Sequence, residues 1–416
     1  MSVPVTPAEL GYEPGNPAFI ADPYPVLARL RAQHPVIHDP ATNQWLVSRF
    51  ADVGALLRDK RLGRSYVHVA SHEEFGRTPP PAWQAPFEAS QRLQLIDMEP
   101  PDHTRLRRLV STAFTPRTVE GLRPRVTELV DGLVTAARDR GEFDLLADVI
   151  ERLPVAVIAE LLGIPEGDRP LLRPWSADIT LMFELARSED DERRAVRATV
   201  EFSDYVRGVV RARRASPRAD LLSQLALVGE AGDRLSEDEL IATAILLLNA
   251  GHEASVNGAA NAWWTLFRHP AALASLRAEP GLVPTAVEEL LRYDTPAPMF
   301  ERWVLEEIEI CGITIPRGQE LALLFASANR DEAAFANADG LVLDRSPNPH
   351  LSFGAGIHYC LGAPLARLEM AILFRAILER MPNLELVAEP AWKPRFVLRG
   401  LQSLPVRVGP GQPRNG

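Results

Sequence analysis

The sequence predicts a mostly α-helical fold with a small β subdomain, arranged as one domain of 416 residues. Helix-like spacing of apolar residues fills the long segments, whereas strand-like alternation is confined to a few short ones. We find no internal repeat and no low-complexity linker long enough to separate two domains. A single domain is therefore expected over residues 1–416, with an ordered core over about 22–408.

The longest predicted helix begins at the capping box Ser236-Glu-Asp-Glu239 and ends before His269-Pro270. At roughly 1.5 Å per residue, about 32 residues form a rod of about 48 Å, long enough to cross the whole molecule. The predicted helices are Arg105–Phe114, Thr118–Asp139, Val149–Leu162, Glu192–Ala212, Ser236–Phe267 and Leu365–Met381.

Strand signals are fewer and consist of short runs of alternating or β-branched residues. Cys311 lies within one such run, so we expect it to be a packed strand residue. The segment from Tyr66 to Pro101 has little periodicity and is predicted to be a long irregular loop with one short helix, of the kind that forms lids or binding walls. The predicted strands are Val36–His38, Gln44–Val47, Ile308–Ile315, Glu320–Phe325 and Leu404–Val408.

Composition excludes several classes of protein. A net charge of -10 argues against general nucleic-acid binding, which needs a basic surface. Two cysteines provide no disulfide framework, so we expect a reducing, cytoplasmic location. The N-terminus lacks the features of a signal peptide, and the longest apolar run, Ile241 to Leu248, is too short to cross a membrane.

One thiol, Cys360, lies between a glycine-rich loop and a helical run, in Phe353-Gly-Ala-Gly-Ile-His-Tyr-Cys-Leu-Gly362. A cysteine at a helix N-terminus faces free backbone N–H groups and the positive end of the dipole, which favour its thiolate. The glycines, including Gly356, let the backbone lie close under a flat group. A single soft thiolate here fits the axial ligand of a haem iron, where it favours O–O cleavage. A buried structural cysteine is the alternative.

A second motif lies in the middle of the longest helix, in Asn249-Ala-Gly251-His-Glu253-Ala-Ser255. A glycine inside a helix costs about 1 kcal/mol relative to alanine. We therefore expect Ala250 and Gly251 to let the helix pass close over a flat ligand, with a local widening that admits dioxygen and water. Burying the Glu253 carboxylate in this apolar stretch costs free energy, so we expect it to be solvated or to relay protons.

These motifs resemble those of the soluble bacterial cytochromes P450, and the resemblance runs from about Asp22 to Val408. It implies the cytochrome P450 fold, with haem b held between the long central helix and the loop that carries Cys360. It also implies a monooxygenase that inserts one oxygen atom from dioxygen into an organic substrate. The residues that would contact the cofactor in these two motifs are Phe353, Gly356, Gly362 and Ala250.

Two further motifs gain meaning from the resemblance. Glu289-Leu-Leu-Arg292 places an acid and a base on one helical face, a pair that is common on protein surfaces. The family pairs these residues inside the protein with an arginine before the cysteine loop, a position that Arg345 matches. The resemblance thus implies a buried triad that locks the loop, and the loss of one member would leave an unpaired buried charge.

The two propionates of a porphyrin need cationic or donor partners when they are buried. His103-Thr-Arg-Leu-Arg107 places two such groups four residues apart on one helical face, although a solvated basic helix is an alternative. The resemblance favours His103 and Arg107 as propionate ligands and adds Arg302 and His358. The four donors would have to converge from three distant segments.

The sequence departs from the family in the residues that deliver protons. Relatives carry an acid followed by threonine, whereas here Ala254 follows Glu253 and Ser255 comes one residue later. One further residue turns a side chain by about 100° around the helix, so Ser255 does not simply replace the missing hydroxyl. Protons could then come from ordered water or from a hydroxyl of the substrate. Alternatively, peroxide or a radical-coupling cycle replaces normal oxygen activation.

The residues expected around the substrate are mostly apolar, which predicts a mainly hydrophobic organic substrate. Alanine at positions 250 and 254 leaves generous room and mildly favours a bulky polyketide, macrolide or terpenoid. Ordinary core packing is an alternative for each residue. The candidate pocket residues are Trp83, Phe87, Met182, Phe183, Met299, Phe300 and Leu401.

The chain carries no flavin or nicotinamide motif and too few cysteines for an iron–sulfur cluster. The resemblance implies a separate ferredoxin and ferredoxin reductase as electron donors, and Arg105, Arg108 and Arg367 are candidate docking residues. Two other functions stay open on the same haem scaffold. One is oxidative phenol coupling or peroxide-driven oxidation, and the other is ligand binding without catalysis, which the acid Glu253 and the lack of a signalling domain disfavour.

Overall fold

The computed structural model describes residues 5–218, 220–227, 229–230 and 233–409. Its α-helices are α1 (Pro17–Ala21), α2 (Tyr24–Gln33), α3 (Phe50–Leu56), α4 (Ala85–Gln91), α5 (Asp102–Ser111), α6 (Pro116–Gly121), α7 (Arg123–Arg138), α8 (Arg152–Leu161), α9 (Leu172–Ile179), α10 (Glu189–Ala215), α11 (Leu221–Leu227), α12 (Glu237–Arg268), α13 (Pro270–Ala278), α14 (Val283–Tyr293), α15 (Phe325–Ala328) and α16 (Ala363–Arg380). Its β-strands are β1 (Val36–Asp39), β2 (Gln44–Val47), β3 (Leu62–Gly63), β4 (Glu142–Asp144), β5 (Gly229–Glu230), β6 (Asp233–Arg234), β7 (Phe300–Val304), β8 (Ile308–Ile310), β9 (Ile313–Ile315), β10 (Glu320–Leu323), β11 (Leu384–Leu386) and β12 (Pro405–Val408). The prediction of a mostly helical fold with a small β portion is confirmed.

The 32-residue helix α12 runs through the middle of the molecule. Its N-terminus is capped as predicted, because Ser236 Oγ accepts from the Glu239 N–H while the Glu239 carboxylate accepts from the Ser236 N–H. The helices α8, α9, α10, α13, α14 and α16 pack around it. Within the described part of the chain, neither α12 nor any other helix combines the length and the apolar character that a membrane span needs.

The largest sheet has the strand order β1-β2-β10-β7-β3. Strands β2 and β10 pair in parallel and the other neighbours pair antiparallel. Alternate residues face opposite sides, so Leu321 and Leu323 join one apolar cluster while Ala322 joins the other. A second sheet, β11-β12-β4, holds the end of the described chain against the helices.

Two predicted helices differ from the observed ones. The predicted helix Thr118–Asp139 is divided into α6 and α7 because Pro124 lies in the first turn of α7 and cannot continue a preceding helix. The predicted helix Val149–Leu162 starts with a wider π-helical turn over Leu146–Ile150 and continues as α8. The single-domain boundaries of 1–416, with a core over about 22–408, stay a prediction.

The prediction that Cys311 is a packed strand residue is wrong. Ile308–Ile310 and Ile313–Ile315 are two strands of a hairpin, and Cys311 and Gly312 form the two-residue turn between them. Both turn residues have positive φ, 52° and 74°, as a tight hairpin turn requires. The strand-like alternation continued across the turn and concealed it, and the Cys311 side chain is exposed.

Candidate active site

The cysteine loop, defined as residues 343–362, carries Cys360 directly before α16. The Cys360 N–H donates to the Phe353 carbonyl at 2.9 Å, which closes the loop. Gly356 has a φ of 72°, and a Cβ there would lie 2.4 Å from the Leu57 carbonyl oxygen. Only glycine satisfies both conditions, so its spacing from the cysteine has a structural cause.

The environment of the Cys360 sulfur combines burial with positive potential. Burial raises the pKa of this thiol overall, and the backbone N–H groups of Gly362 and Ala363 and the Arg107 guanidinium offset only part of that rise. These N–H groups belong to the start of α16, as the motif predicted. A thiolate here has donors that stabilise its charge, which is the environment that a metal-bound cysteine needs.

The cysteine loop is anchored to α14 by Glu288. Its carboxylate accepts from Arg367 at 2.6 and 2.8 Å and lies 3.1 Å from His350 Nε2. Burial alone would raise the pKa of Glu288, but the hydrogen bonds from Arg367 and His350 lower it to about 2. The Arg367 guanidinium also stacks over the Phe353 ring at 4.4 Å. This contact fixes the first residue of the motif.

The structure brings Glu289, Arg292 and Arg345 together. Glu289 and Arg292 are 0 % exposed and form a two-pronged ion pair at 2.8 Å, and Arg345 Nε donates to Glu289 at 2.9 Å. Arg292 also donates to the carbonyls of Asn329, Ala338 and Gly340. Fully buried charges are tolerable only when they are satisfied in this way. The triad therefore fixes the start of the cysteine loop against α14.

The four predicted propionate donors converge from α5, β7 and the cysteine loop. The rings of His103 and His358 are 4.5 Å apart between centroids, and Arg107 donates to the Tyr359 carbonyl at 2.7 Å. Within the described residues, the only hydrogen bond of the buried Arg302 side chain goes to the neighbouring Glu301 carbonyl. The structure thus brings together a cluster of cationic and donor groups next to the thiol.

This cluster is short of acceptors. The Nε2 atoms of His103 and His358 are buried, and neither has a partner within hydrogen-bond distance among the described residues, although the Glu99 carboxylate lies 3.7 Å from Nε2 of His358. Burial, together with the charges of His358 and Arg107, lowers the pKa of His103 to about 4. Burial and the Arg64 guanidinium lower the pKa of Arg302 to about 9. Two anionic carboxylates would satisfy these groups, so the donor set fits the propionates of a haem.

One face of α12 keeps solvent-accessible surface although the helix runs through the middle of the protein. Ala250 is exposed and Ala254 and Ser255 are partly exposed, whereas Asn249 and His252 on other faces are buried. Residues 250 and 254 are four apart and therefore lie on one face of the helix. A flat, anionic cofactor fits these features together: the accessible alanine face of α12, the thiol with its stabilising donors, and the buried histidines without hydrogen-bond partners.

Comparisons with known proteins agree with this geometry. The sequence matches the family model of cytochrome P450 over residues 174–386. It is 40% identical over 399 residues to the cytochrome P450 monooxygenase PikC of Streptomyces venezuelae, covering 94% of this chain and 92% of that protein. This chain is a cytochrome P450. A second relative of this P450, the polyketide biosynthesis cytochrome P450 PksS of Bacillus subtilis (strain 168), is 37% identical over 415 residues, covering 96% and 99%.

The fold of this P450 is that of solved family members. The crystal structure of P450BioI in complex with an acyl carrier protein ligated to hexadec-9Z-enoic acid matches it with a TM-score of 0.88 and 37% identity, covering 94% of this chain and 99% of that one. The predictions of a bacterial cytochrome P450 and of an oxygenase enzyme are confirmed. Membership of the family implies a haem-iron cofactor, a hydrophobic substrate and a redox partner.

Gly251 has a different role from the predicted one. A Cβ at this position would lie 2.7 Å from Cδ1 of Ile158 on α8, so the glycine accommodates close packing between two helices. The helix is regular across Gly251, without a local widening. The expectation that Gly251 opens α12 over a flat ligand is therefore wrong, and the accessible residue at this level is Ala250.

Glu253 is neither solvated nor unpaired in this P450. Its carboxylate accepts from Lys393 Nζ at 3.3 Å, and its side chain is 5 % exposed. Burial would raise the pKa of Glu253, but the charge of Lys393 and then that of His252 lower it. Ala254 offers no hydroxyl, and Ser255 lies one residue further around the helix, as predicted. The acid is present and ionised, while the alcohol of the family motif is missing.

Four of the candidate pocket residues, Trp83, Met182, Phe183 and Phe300, are partly buried, and a fifth, Phe87, is buried in the main core. The Phe87 ring on α4 lies 6.4 Å from that of Phe183, and Met182 packs against the same core. Trp83 stacks under the Arg193 guanidinium at 4.4 Å. Phe300 lies at 4.1 Å under the Arg64 guanidinium, beside the donor cluster. A contact with substrate stays a prediction for these residues.

The structure counts against the other two candidates. Met299 is 0 % exposed, and its sulfur accepts from the Tyr12 hydroxyl at 3.9 Å on the far side of the sheet from Phe300. The physical reason is that adjacent residues of an extended segment face opposite sides. Leu401 is also 0 % exposed and lies in the main core. Neither side chain has surface that a substrate could touch in this structure.

The C-terminal segment, defined as residues 392–402, is attached to the rest of the protein by residues that the sequence did not reveal. The Glu184 carboxylate accepts from the backbone N–H groups of Phe396, Val397 and Leu398 at 3.1, 3.2 and 3.1 Å. Asn257 and Asn261 on α12 donate to the carbonyls of residues 398 and 399. Polar residues four apart on α12 were the available signal, because they are unusual in an apolar helix.

The predicted docking arginines already have partners. Arg105 forms an ion pair with Glu239, and Arg367 is bound to Glu288. Arg108 also takes part in an interaction within the protein. Two large side chains close to Cys360 in the chain, Ile357 and Tyr359, are also exposed, and the Tyr359 hydroxyl accepts from Arg367 at 3.2 Å.

Proposed function

We propose that this P450 is a haem b monooxygenase that inserts one oxygen atom from dioxygen into a bulky, mainly hydrophobic natural product such as a polyketide, macrolide or terpenoid. Two observations together carry the proposal. The Cys360 thiol faces backbone N–H groups at the start of α16, and the face of α12 with Ala250 and Ala254 is solvent-accessible. The relative PksS is named for polyketide biosynthesis. The small side chains at positions 250 and 254 suit a large substrate.

In this proposal each residue group has one task. Cys360 would hold the haem iron through its sulfur, and the bound haem would supply the activation of dioxygen. The triad fixes the cysteine loop, and Phe353, Gly356, Gly362 and Ala250 border the cofactor. The residues that would bind the two propionates are His103, Arg107, Arg302 and His358.

The decisive test is the absorption spectrum of the reduced protein with carbon monoxide. We expect the red-shifted band of thiolate ligation from the wild type, and its loss in Cys360→Ser because a hydroxyl is a poor ligand for haem iron. Cys311→Ser is the matched control, since Cys311 is the exposed turn residue. An unchanged band in Cys360→Ser would remove the basis of the proposal.

We propose further that the substrate helps to deliver protons. Ala254 lacks the hydroxyl of the family motif, so a hydroxyl of the bound substrate, or water that it orders, takes its place. The test compares a substrate found by its spin-state shift with an analogue that lacks its hydroxyl. Ala254→Thr should raise the product formed per electron with the analogue. Equal coupling with both compounds in the wild type would contradict this role.

Ala254 also favours a second candidate, oxidative coupling or peroxide-driven oxidation on the same scaffold. Labelled dioxygen separates the two, because a monooxygenase places one labelled atom in the product and a coupling reaction places none. A peroxide-driven enzyme would form product without an electron donor.

A separate ferredoxin with its reductase is the proposed electron source. Ile357 and Tyr359 give an exposed apolar contact beside Cys360, which suits a transient partner. Tyr359→Asp should slow reduction by an acidic ferredoxin about tenfold, because it introduces like charge at a contact. Reduction by dithionite, which needs no docking, is the control and should not change.

A further inference from the structure

The α4 loop, defined as residues 66–101, is attached to the donor cluster near both of its ends. Arg64, just before the loop, forms an ion pair with Asp97 at 3.3 Å, and the Glu99 carboxylate lies 3.7 Å from Nε2 of His358. The middle of the loop forms α4, which packs against α10 and α12. The loop therefore connects the donor cluster to the start of α10.

The α9–α10 turn, defined as residues 180–188, approaches the α4 loop from the other side. Its Glu184 carboxylate binds the backbone of the C-terminal segment, and its Arg187 donates to the Glu184 carbonyl at 3.1 Å. The Phe183 ring lies 6.4 Å from the Phe87 ring of α4. The turn is thus fixed to the C-terminal segment and meets the α4 loop through aromatic rings.

One carboxylate joins the α4 loop to the α9–α10 turn. Glu192, in the first turn of α10, accepts from Gln84 Nε2 at 2.8 Å and from Arg187 Nε at 3.0 Å. Gln84 is 7 % exposed, so water competes poorly for this hydrogen bond. Beside it, the Arg193 guanidinium lies over the Trp83 ring at 4.4 Å. The two segments therefore share a shielded polar contact as well as the aromatic one.

We infer that the hydrogen bond from Gln84 to Glu192 is a latch that controls how fast bulky molecules enter and leave the proposed substrate pocket. The inference rests on the proposed function, which makes Phe87 and Phe183 candidate pocket residues. A bulky molecule passes between the two segments only when the latch opens and the two rings separate. A small molecule passes without this opening. The latch thus affects the rates of binding and release and not the affinity.

The first test measures binding kinetics of two azoles to the haem-loaded protein, without turnover. Phenylimidazole and imidazole both bind haem iron through a ring nitrogen but differ in size. Gln84→Met keeps the length of the side chain and removes its hydrogen bond to a charged group. It should raise the association and dissociation rate constants of phenylimidazole about tenfold each. Its Kd should not change, because the bond is lost from the free and the bound closed forms alike. Both rate constants of imidazole should stay as in the wild type.

Gln91→Met is the matched control. Gln91 also lies on α4 and donates to a carboxylate, that of Asp97 at 3.2 Å, but this bond stays within the α4 loop. Gln91→Met should therefore leave the rate constants of both azoles unchanged. Unchanged phenylimidazole kinetics in Gln84→Met, or an equal change in Gln91→Met, overturns the latch. A change in Kd with unchanged association also overturns it, because Gln84 would then act on the bound ligand.

Hydrogen exchange supplies a second measurement that needs no ligand of the iron. In Gln84→Met, exchange over residues 82–91 and 180–188 should accelerate together, while exchange in the cysteine loop stays as in the wild type. Glu192→Gln should give a smaller acceleration, because its amide oxygen still accepts from Gln84. Unchanged exchange in both segments overturns the latch whether or not the enzyme turns over. Failure of both azoles to bind the wild type overturns the proposed function instead.

Discussion

The cysteine loop and the C-terminal segment lie near the same site but are held in different ways. The cysteine loop is fixed by fully buried charges, Glu289 with Arg292 and Arg345, and by glycines in special conformations. The C-terminal segment is fixed by side chains that bind its backbone, from Glu184, Asn257 and Asn261. Rigid charge pairs suit a metal ligand, whereas these contacts to the backbone hold the C-terminal segment without using its side chains.

The largest effect should come from the triad of the cysteine loop. Glu289→Gln leaves the buried Arg292 and Arg345 without their counter-charge, which should lower the free energy of unfolding by about 3–5 kcal/mol. Glu309→Gln, at an exposed position of β8, is the control and should change it by less than about 0.5 kcal/mol. Denaturant unfolding of the haem-loaded protein measures both. An equal loss of unfolding free energy in the two variants would show that the triad contributes no more to stability than an ordinary surface pair.

A smaller effect is expected where the C-terminal segment is held. Glu184→Gln removes the charge that binds three backbone N–H groups and should lower the unfolding free energy by about 2 kcal/mol. Hydrogen exchange at residues 396–398 should accelerate more than exchange in the cysteine loop. Glu189→Gln, exposed at the start of α10, is the matched control. Equal acceleration of hydrogen exchange in the C-terminal segment and in the cysteine loop would contradict the conclusion that the two regions are held in different ways.

Alanine substitutions at two glycines of α12 distinguish the effect of side-chain packing on stability from that of helix propensity. Gly251→Ala should lower the unfolding free energy by about 1 kcal/mol, because crowding against Ile158 outweighs the better helix propensity of alanine. At Gly258 the nearest atom to a new Cβ is 3.4 Å away, so Gly258→Ala should raise it by up to about 1 kcal/mol. Adding Ile158→Val to Gly251→Ala should recover part of the loss. A stabilising Gly251→Ala would contradict the packing role.

The smallest effect concerns pH and the anchor of the cysteine loop. The pKa of Glu288 is lowered from 4.5 to about 2, so its ionised form stabilises the folded state fully above about pH 4.5. That stability is lost as the pH falls toward 2. Because Glu288 and Arg367 are partly exposed, the contribution should be about 1 kcal/mol or less. Glu288→Gln should therefore flatten the acid limb of the stability profile without changing it at pH 7 by more than this amount.

The sequence predicted the cysteine side of the site better than the opposite side. The glycine spacing before Cys360 has a local cause, a positive φ and a close approach at Gly356, so it leaves a recognisable motif. The pairs Glu253–Lys393 and Glu184–Phe396 join residues separated by 140 and 212 positions, and no spacing rule connects them.

Three failed predictions arose from ambiguous patterns. A two-residue turn at Cys311 preserved the alternation of a strand, and a proline at position 124 marked a helix start inside a continuous helical pattern. A glycine in α12 looked functional because its partner on α8, Ile158, could not be known from spacing. In each case the deciding contact is either a backbone angle or a residue distant in sequence.

The parallel pairing of β2 with β10 has a consequence for biosynthesis. Its register joins Gln44 to Glu320, so β2 can pair with β1 early but has no β10 to pair with until most of the chain has been made. Contacts of such high sequence separation slow folding. Cys360 follows β10 in the chain, so its sulfur becomes available to a haem only after both of these strands have been synthesised.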